Sequence, residues 1–319
     1  MDTSNYRAFG LTLSSDIALP ELQAAPEGAI GCSFRMGIGA ASHSGSEPEG
    51  FHRLLRKDGR AWMAVARRGT DYVIRFPGIA EFWIAADGTE IRGRRGRAVP
   101  LATMRHLLLD HVLPRVLDLK GELVLHAGAV ATGAGAVLLL GRSGDGKSTL
   151  TASLGRVGWH VLGDDVIVLR ETAGRWHAVP SYPGLRLWSD SAATLLGRDA
   201  TLGRVAHYSE KTRGDALRMG ARIASGPVPI LRAYLLAPAP PDATPSICAL
   251  SAREAFAAIV AQTFRFDPGA PEALRDELRS LARIAAGRWF RRLVVPRSYG
   301  ALDAVRDSIE RDLAAEALA

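Results

Sequence analysis

Cysteine is nearly missing from these 319 residues: Cys32 and Cys248 stand far apart, with no Cys-x-x-Cys and no paired Cys/His spacing. That argues against a disulfide framework and a zinc site and fits a reducing compartment, the cytoplasm. The opening Met-Asp-Thr-Ser-Asn-Tyr-Arg lacks the basic-then-apolar order of a secretory signal. Lysine is scarce as well. Only Lys57, Lys120, Lys147 and Lys211 occur among 40 basic residues, so the net charge of +7 is carried almost wholly by arginine. A basic balance points to an anionic partner, although an arginine-favouring codon usage produces the same number. There is no Asn-Lys-x-Asp, which excludes a guanine-specific GTPase, and no Leu-Ser-Gly-Gly, which excludes an ABC-type ATPase. No internal repeat and no low-complexity tract is found.

One stretch, Leu123 to Gly141, is nearly free of charge and close to the ~20 residues of a membrane span. It contains His126, Gly128, Thr132, Gly133 and Gly135, so it reads as two short strands joined by a Thr-Gly-Ala-Gly turn. No membrane association is expected. A chain of this length exceeds the usual single core, so two domains are the starting expectation.

Residues 1–98 read as a smaller β-rich N-terminal domain, a candidate for substrate recognition. Asp71-Tyr-Val-Ile-Arg-Phe alternates, and Glu81 to Ala85, Asp87-Gly88 and Thr89 to Arg92 form a hairpin pattern. Residues 37–50, rich in Gly, Ser and Pro, read as a loop. Residues 99–120 read as a bridging helix, kinked or broken at Pro114, with Met104, Leu107, Leu108, Val112 and Val116 at helical spacing.

Residues 121–319 read as an α/β domain: strand 123–131, strand 135–140, loop 141–147, a helix to Val157 and a strand over 159–169. A buried strand is expected over Pro227 to Leu236, and Ser251-x-x-Glu254 is a capping box opening a helix to about Gln262. Two further amphipathic helices flank a strand at Arg291 to Val295.

The chemistry concentrates in Gly141-Arg-Ser-Gly-Asp-Gly-Lys147-Ser148, which fits the phosphate-binding spacing G-x-x-x-x-G-K-[ST] between an apolar strand and an apolar-striped helix. Glycines let successive amides converge on phosphate oxygens, and the positive helix end adds its partial charge. The loop residues expected to bind the nucleotide are Gly141, Ser143, Gly144, Asp145, Gly146, Lys147, Ser148 and Thr149. Lys147 would reach the β and γ phosphates and Ser148 would offer a hydroxyl to Mg²⁺. Seventeen positions on, Asp164-Asp165 sits at a strand, where two adjacent carboxylates need a cation; a solvated turn is the plainer reading. His126 lies on an apolar strand, where an ordinary core histidine is the alternative. Lys211-Thr-Arg213 is a candidate phosphate clamp. Arg92-Gly-Arg-Arg-Gly-Arg97, following the hairpin, is a basic cluster that could grip an acidic peptide or nucleic acid phosphates but reads more simply as a solvated turn, and without interleaved aromatics nucleic acid is not favoured as a partner.

Together Leu125-His126-Ala127-Gly128, the Gly-Lys-Ser loop and the Asp-Asp pair resemble the HPr serine kinase/phosphorylase family over residues 121–236. The resemblance implies a P-loop kinase domain of HPr kinase type, with ATP and Mg²⁺ as cofactors. It implies Asp164 as general base toward a serine hydroxyl, Asp165 and Ser148 as metal ligands, Lys147 on the phosphates and His126 as support of the phosphate site. The Glu-Ile-Arg-Gly-type signature of the bifunctional enzymes is replaced here by Pro180-Ser-Tyr-Pro-Gly-Leu-Arg186-Leu-Trp188, which puts phosphorolysis in doubt. The N-terminal stretch Tyr6 to Leu22 is similar to HPr-kinase-like proteins associated with ribosomally made peptides, including lasso peptide precursors. The expected function is therefore transfer of the ATP γ-phosphate to a serine of a peptide or protein. A kinase of a small hydroxylated metabolite and an ATP-binding regulatory module are the alternatives, and a homo-oligomer is compatible with the sequence.

Overall fold

Alternation of apolar and polar residues in the first hundred positions produces strands, and their pairing produces one sheet. In the computed structural model, which describes residues 3–37, 52–56, 58–197, 202–216, 220–265 and 271–317, the chain divides into two compact units. The first unit runs to Glu122 and includes the short segment Val205–Ser209. Its strands are β1 Ser4–Ala8, β2 Leu11–Ser15, β3 Gln23–Ala24, β4 Cys32–Met36, β5 His52–Leu55, β6 Ala61–Arg68, β7 Asp71–Phe76, β8 Ala80–Ile84 and β9 Glu90–Arg95. They form a nine-stranded sheet in the order β3-β1-β2-β4-β9-β8-β7-β6-β5.

The expected bridging helix is broken into α1 Leu101–Leu107, a π-helical turn over Leu108–Val112 and α2 Leu113–Leu119. Pro114 has no amide hydrogen to give the preceding turn, and it sits in the first turn of α2, where none is needed. This helical segment belongs to the first unit, where Met104, Leu107, Leu108, Val112 and Val116 are buried. Met104 packs so closely on β9 that a Cβ at Gly93 would strike its Cε.

The Arg92 to Arg97 cluster is not a turn following a hairpin. Arg92, Arg94 and Arg95 are in β9, with Arg92 paired to Glu90, Arg94 stacked over Trp83 at 5.0 Å and Arg95 donating to the Val99 carbonyl. The loop expected over residues 37–50 lies, but for Gly37, outside the described residues.

The second unit carries β10 Leu123–Leu125, β11 Gly128–Ala131, β12 Ala136–Leu140, α3 Lys147–Arg156, β13 His160–Gly163, β14 Ile167–Thr172 and β15 Arg175–Val179. These are followed by β16 Gly184–Leu187, α4 Ser189–Leu196, β17 Thr212–Asp215, β18 Arg222–Ile223, β19 Val228–Ala239 and β20 Ser246–Ala249. The unit ends with α5 Ala252–Val260, α6 Pro271–Ala285, β21 Phe290–Pro296 and α7 Leu302–Ala317. The charge-poor stretch is thus three strands, and among the described residues no helix is long and apolar enough to cross a membrane.

The central ribbon of the sheet runs β13-β11-β12-β19-β21-β20. β12, β19 and β21 are mutually parallel, and β13 runs the same way because β11 is antiparallel to both β12 and β13. The period of two divides β12 between two cores. Val137 and Leu139 pack with Leu150 and Leu154 of α3 and Val305 and Ile309 of α7, while Ala136, Leu138 and Leu140 pack with Ile259 of α5 and Leu281 and Ile284 of α6. Helices thereby cover both faces of a mixed parallel and antiparallel ribbon, a mixed α/β architecture.

Two expected strands are split. β10 pairs with β14 while β11 pairs with β12, so the chain breaks at His126–Ala127 to change partners. β13 and β14 separate around Asp164–Asp165–Val166 for the same reason. The capping box forms, with the Glu254 amide donating to Ser251 Oγ and the Ser251 amide donating to the Glu254 carboxylate.

Candidate active site

Parallel strands place their carboxyl ends at one edge, and that edge is where the polar residues gather. The loop after β12, the Asp164–Asp165 pair after β13, His126 just before β11 and the segment after β21 all leave the sheet there. Between them lies a cleft of about 290 Å³, lined among others by His126, Ser143 to Leu150, Asp165, Arg186, Trp188 and Lys211.

The loop from Gly141 to Gly146 is shaped by positive φ angles of 93° at Gly144 and 99° at Gly146, a region open to glycine without strain. A Cβ at either position would meet nothing within 4 Å, so both residues border open space. Asp145 Oδ2 accepts the Arg142 amide at 2.6 Å and closes the loop upon itself. Gly146 caps α3, and with no acidic residue in its first turn the positive end of α3 is left uncompensated by its own helix.

Lys147 is 5% exposed, and its ammonium donates to the carbonyls of Gly141 at 2.7 Å and Arg142 at 3.1 Å. Burial pushes its pKa down, opposed by the charges of Asp165 and Asp164. Gln262, just past the end of α5, holds the loop: with its side-chain amide oriented so that the nitrogen faces the two acceptors beside it, that nitrogen donates to the carbonyls of Gly141 and His126, each at 3.0 Å, and the backbone carbonyl of Gln262 accepts the His126 amide at 2.6 Å. No sequence signal marked Gln262.

The two aspartates differ in environment. Asp165 faces the cleft, with its carboxylate paired to the Arg186 guanidinium and 3.2 Å from His126 Nδ1. Asp164 is 2% exposed and is not part of the cleft lining; its Oδ2 accepts the Arg186 amide at 2.7 Å, and its Oδ1 has no hydrogen-bond partner of good geometry. Burial raises the Asp164 pKa to about 6, against the lowering pull of Arg186; Asp165 raises it further and the Ser148 hydroxyl lowers it. His126 Nδ1 lies 3.0 Å from the Asp165 carbonyl, an acceptor, so the ring proton belongs on Nδ1 and Nε2 keeps its lone pair. Burial lowers the His126 pKa, with Asp165 opposing.

Arg186 stands on β16, and Tyr182 Oη accepts its Nη2 at 2.7 Å. Lys211 lines the cleft with its ammonium 5.5 Å from the Trp188 ring centre. Arg213 lies opposite Arg186 in the β16–β17 pair, outside the lining. The cleft thus gathers Lys147, Ser148, Thr149, Asp165, His126 and Lys211, with Asp164 directly behind the wall.

No family model matches the chain, and no curated protein matches it. The fold is similar to the solved structure of the Hpr(Ser) kinase/phosphatase from Coxiella burnetii, at 12% identity, covering 59% of this chain and 95% of that one, with a TM-score of 0.34. At so low a score and identity the likeness assigns neither fold nor activity.

Proposed function

We propose that this chain is an ATP- and Mg²⁺-dependent phosphotransferase that moves the γ-phosphate to a serine hydroxyl of a peptide or protein. The observation that carries the reading is the convergence, at one sheet edge, of a glycine loop bordering open space, a helix end, a buried lysine and a buried carboxylate with its pKa near 6. The fit to a metal nucleotide is chemical. Among the described residues no group of three or more His, Cys, Asp or Glu is placed to hold an ion by itself, and Mg²⁺ ordinarily takes one or two protein oxygens plus substrate phosphates. Ser148 and Asp165 would supply those oxygens, and Asp164, buried behind them with Oδ1 lacking a partner of good geometry among the described residues, adds a further acceptor. Mg²⁺ bound with ATP would spread the negative charge that grows on the phosphate oxygens.

The chain's own groups would then act as follows. The loop amides and the α3 end hold the phosphates, and the Lys147 ammonium exchanges its two loop carbonyls for phosphate oxygens. Asp164 takes the proton of the serine hydroxyl; the serine oxygen bonds to the γ-phosphorus, the bond to the β-bridging oxygen breaks, and ADP leaves with the electron pair. A carboxylate with its pKa near 6 is matched to that task at neutral pH, and its burial requires the Arg186 side of the wall to yield when the acceptor enters. His126 supports the phosphate site and Lys211 faces it from the far wall.

A peptide or protein acceptor, including a ribosomally made lasso-type precursor, is part of this proposal through the family resemblance. Incubation with γ-labelled ATP, Mg²⁺ and serine peptides tests it. The expected result is labelled phosphoserine with the wild type and at least a hundredfold less with Asp164→Asn or Lys147→Ala. Label on a small molecule alone replaces the acceptor class; nucleotide-dependent binding with no labelled acceptor favours a regulatory module.

A further inference from the structure

The aspartates occupy one side of the glycine loop, and the sheet continues on the other. β13 lies two strands from β12 in one direction, and β21 lies two strands from it in the opposite direction. At the usual strand spacing the acidic pair and the end of β21 are about 19 Å apart along the edge. β19 and β21 also extend beyond the glycine loop's strand: Leu140 is level with Leu235, but β19 continues to Ala239, opposite Pro296. These extra residues raise a wall beside the loop, where Pro238, Val295, Pro296, Tyr299 and Leu302 give the cleft a largely apolar end that Arg297 and Ser298 also line.

Tyr299 is held in that wall by a directional chain of hydroxyls. Its phenol donates to Asp190 Oδ2 at 2.8 Å, so the 2.9 Å contact with Ser191 Oγ has serine as donor. Ser191 Oγ in turn accepts from Thr149 Oγ1 at 3.0 Å. Thr149 is the residue after Ser148 in the first turn of α3. The chain therefore ties an aromatic ring, still 37% exposed, to the helix that ends at the phosphate-binding loop.

We infer that the Pro296–Leu302 wall is the nucleobase subsite, with Tyr299 as an aromatic platform that favours nucleoside triphosphates over bare triphosphate and large purine rings over pyrimidines. This rests on the kinase reading and extends it to the other end of the nucleotide. With phosphates at the glycine loop and the transferred group toward Asp164 and Asp165, the end of the cleft away from the aspartates, carrying a fixed ring, is open to the base, whereas the cleft's other exposed ring, Trp188, has the Lys211 ammonium 5.5 Å from its centre. Base stacking on aromatic side chains tolerates base identity but scales with ring area, so ATP and GTP should be held alike and CTP less well.

The test is titration of the full chain with ATP, GTP, CTP and inorganic tripolyphosphate, each with Mg²⁺, for the wild type, Tyr299→Phe and Tyr299→Ala. The expected result is ATP and GTP bound at least tenfold tighter than tripolyphosphate by the wild type. Tyr299→Ala should lose most of that gain with its tripolyphosphate affinity unchanged, and Tyr299→Phe, which keeps the ring, should stay within about threefold of wild type. The unchanged tripolyphosphate affinity also reports that the variants fold. If tripolyphosphate binds as well as ATP, or Tyr299→Ala retains the full preference for ATP, the subsite is wrong while the phosphate-site reading stands. If neither tripolyphosphate nor ATP binds the wild type, the kinase reading fails and the subsite falls with it.

Discussion

The backbone amide of Arg186 donates to Asp164 Oδ2 at 2.7 Å, so a buried carboxylate is anchored by the main chain of the residue whose guanidinium pairs with its neighbour Asp165. One residue thus contacts both acids, one through its amide and the other through its guanidinium, and it comes from a strand outside the main sheet.

Asp164 should make the free protein less stable as pH rises. Its pKa is raised from 3.8 to about 6, so the folded state binds more protons than the unfolded state between those values. Well below the ordinary value of 3.8 both states are protonated and the group contributes nothing; above the folded value of about 6 its full cost is present, on the order of 3 kcal/mol. Asp164→Asn should therefore approach the wild type in thermal melts as pH falls toward ~3 and exceed it at pH 7. An Asn variant less stable than wild type at pH 7 would contradict this.

Arg186→Met removes the cation while retaining a stem of similar length. Asp165 loses its guanidinium partner while His126 stays beside it, and Tyr182 Oη loses a donor. Breaking a pair buried on the arginine side costs about 3 kcal/mol, whereas Tyr182→Phe, which removes only the phenol, costs about 1 kcal/mol. Denaturant melts of the two variants at pH 7 measure both; equal losses would mean that the ion pair adds nothing beyond the tyrosine contact.

The strand–loop–helix around Lys147 was legible in sequence because its determinants are local: an apolar run, glycines at fixed offsets, then a helical stripe. The breaks at His126 and at Asp164 were not, since they arise where neighbouring strands change partners, a choice made between segments forty residues apart. Arg186 was visible only as a departure from an expected signature. Its hold on both aspartates depends on a turn from β15 to β16 that no periodicity encodes. Tyr299 and Gln262 carried no signal because each reaches the glycine loop only through sheet order. The Arg92 to Arg97 run misled for the opposite reason: its composition resembles a solvated turn, while its alternation, with Gly93 on the packed face, is that of a strand.

Gly128 and Thr151 form a pair that can be tested as a cycle. A Cβ on Gly128 would strike Thr151 Oγ1, a buried hydroxyl without a hydrogen-bond partner among the described residues. Gly128→Ala should cost about 1–3 kcal/mol through overpacking, Thr151→Ala less than about 1 kcal/mol, and the double variant should recover most of the first loss. Additive losses in chemical denaturation would show that the glycine is required for another reason.

Gln262 is the least conspicuous residue of the site and the one whose chemistry is most sharply defined. Two carbonyls, from Gly141 and His126, face its amide nitrogen, and the residue is 7% exposed. Gln262→Glu replaces that donor with an acceptor at nearly constant volume, so two carbonyls would confront a buried charge; Gln262→Met keeps the volume and only removes the donor. The methionine variant should lose about 1 kcal/mol, since it takes this donor from the His126 carbonyl and leaves the Gly141 carbonyl to Lys147 alone, and the glutamate variant should lose more, with the difference shrinking as pH falls and the carboxyl regains a proton it can donate. Because the same carbonyl of Gly141 also holds Lys147, both variants should loosen the loop, and if the proposed kinase activity holds they should raise its KM for ATP more than they lower kcat. Melts at pH 5 and 8 alongside steady-state kinetics separate the two effects, and a glutamate variant with unchanged stability at pH 8 would place the Gln262 amide elsewhere than between those two carbonyls.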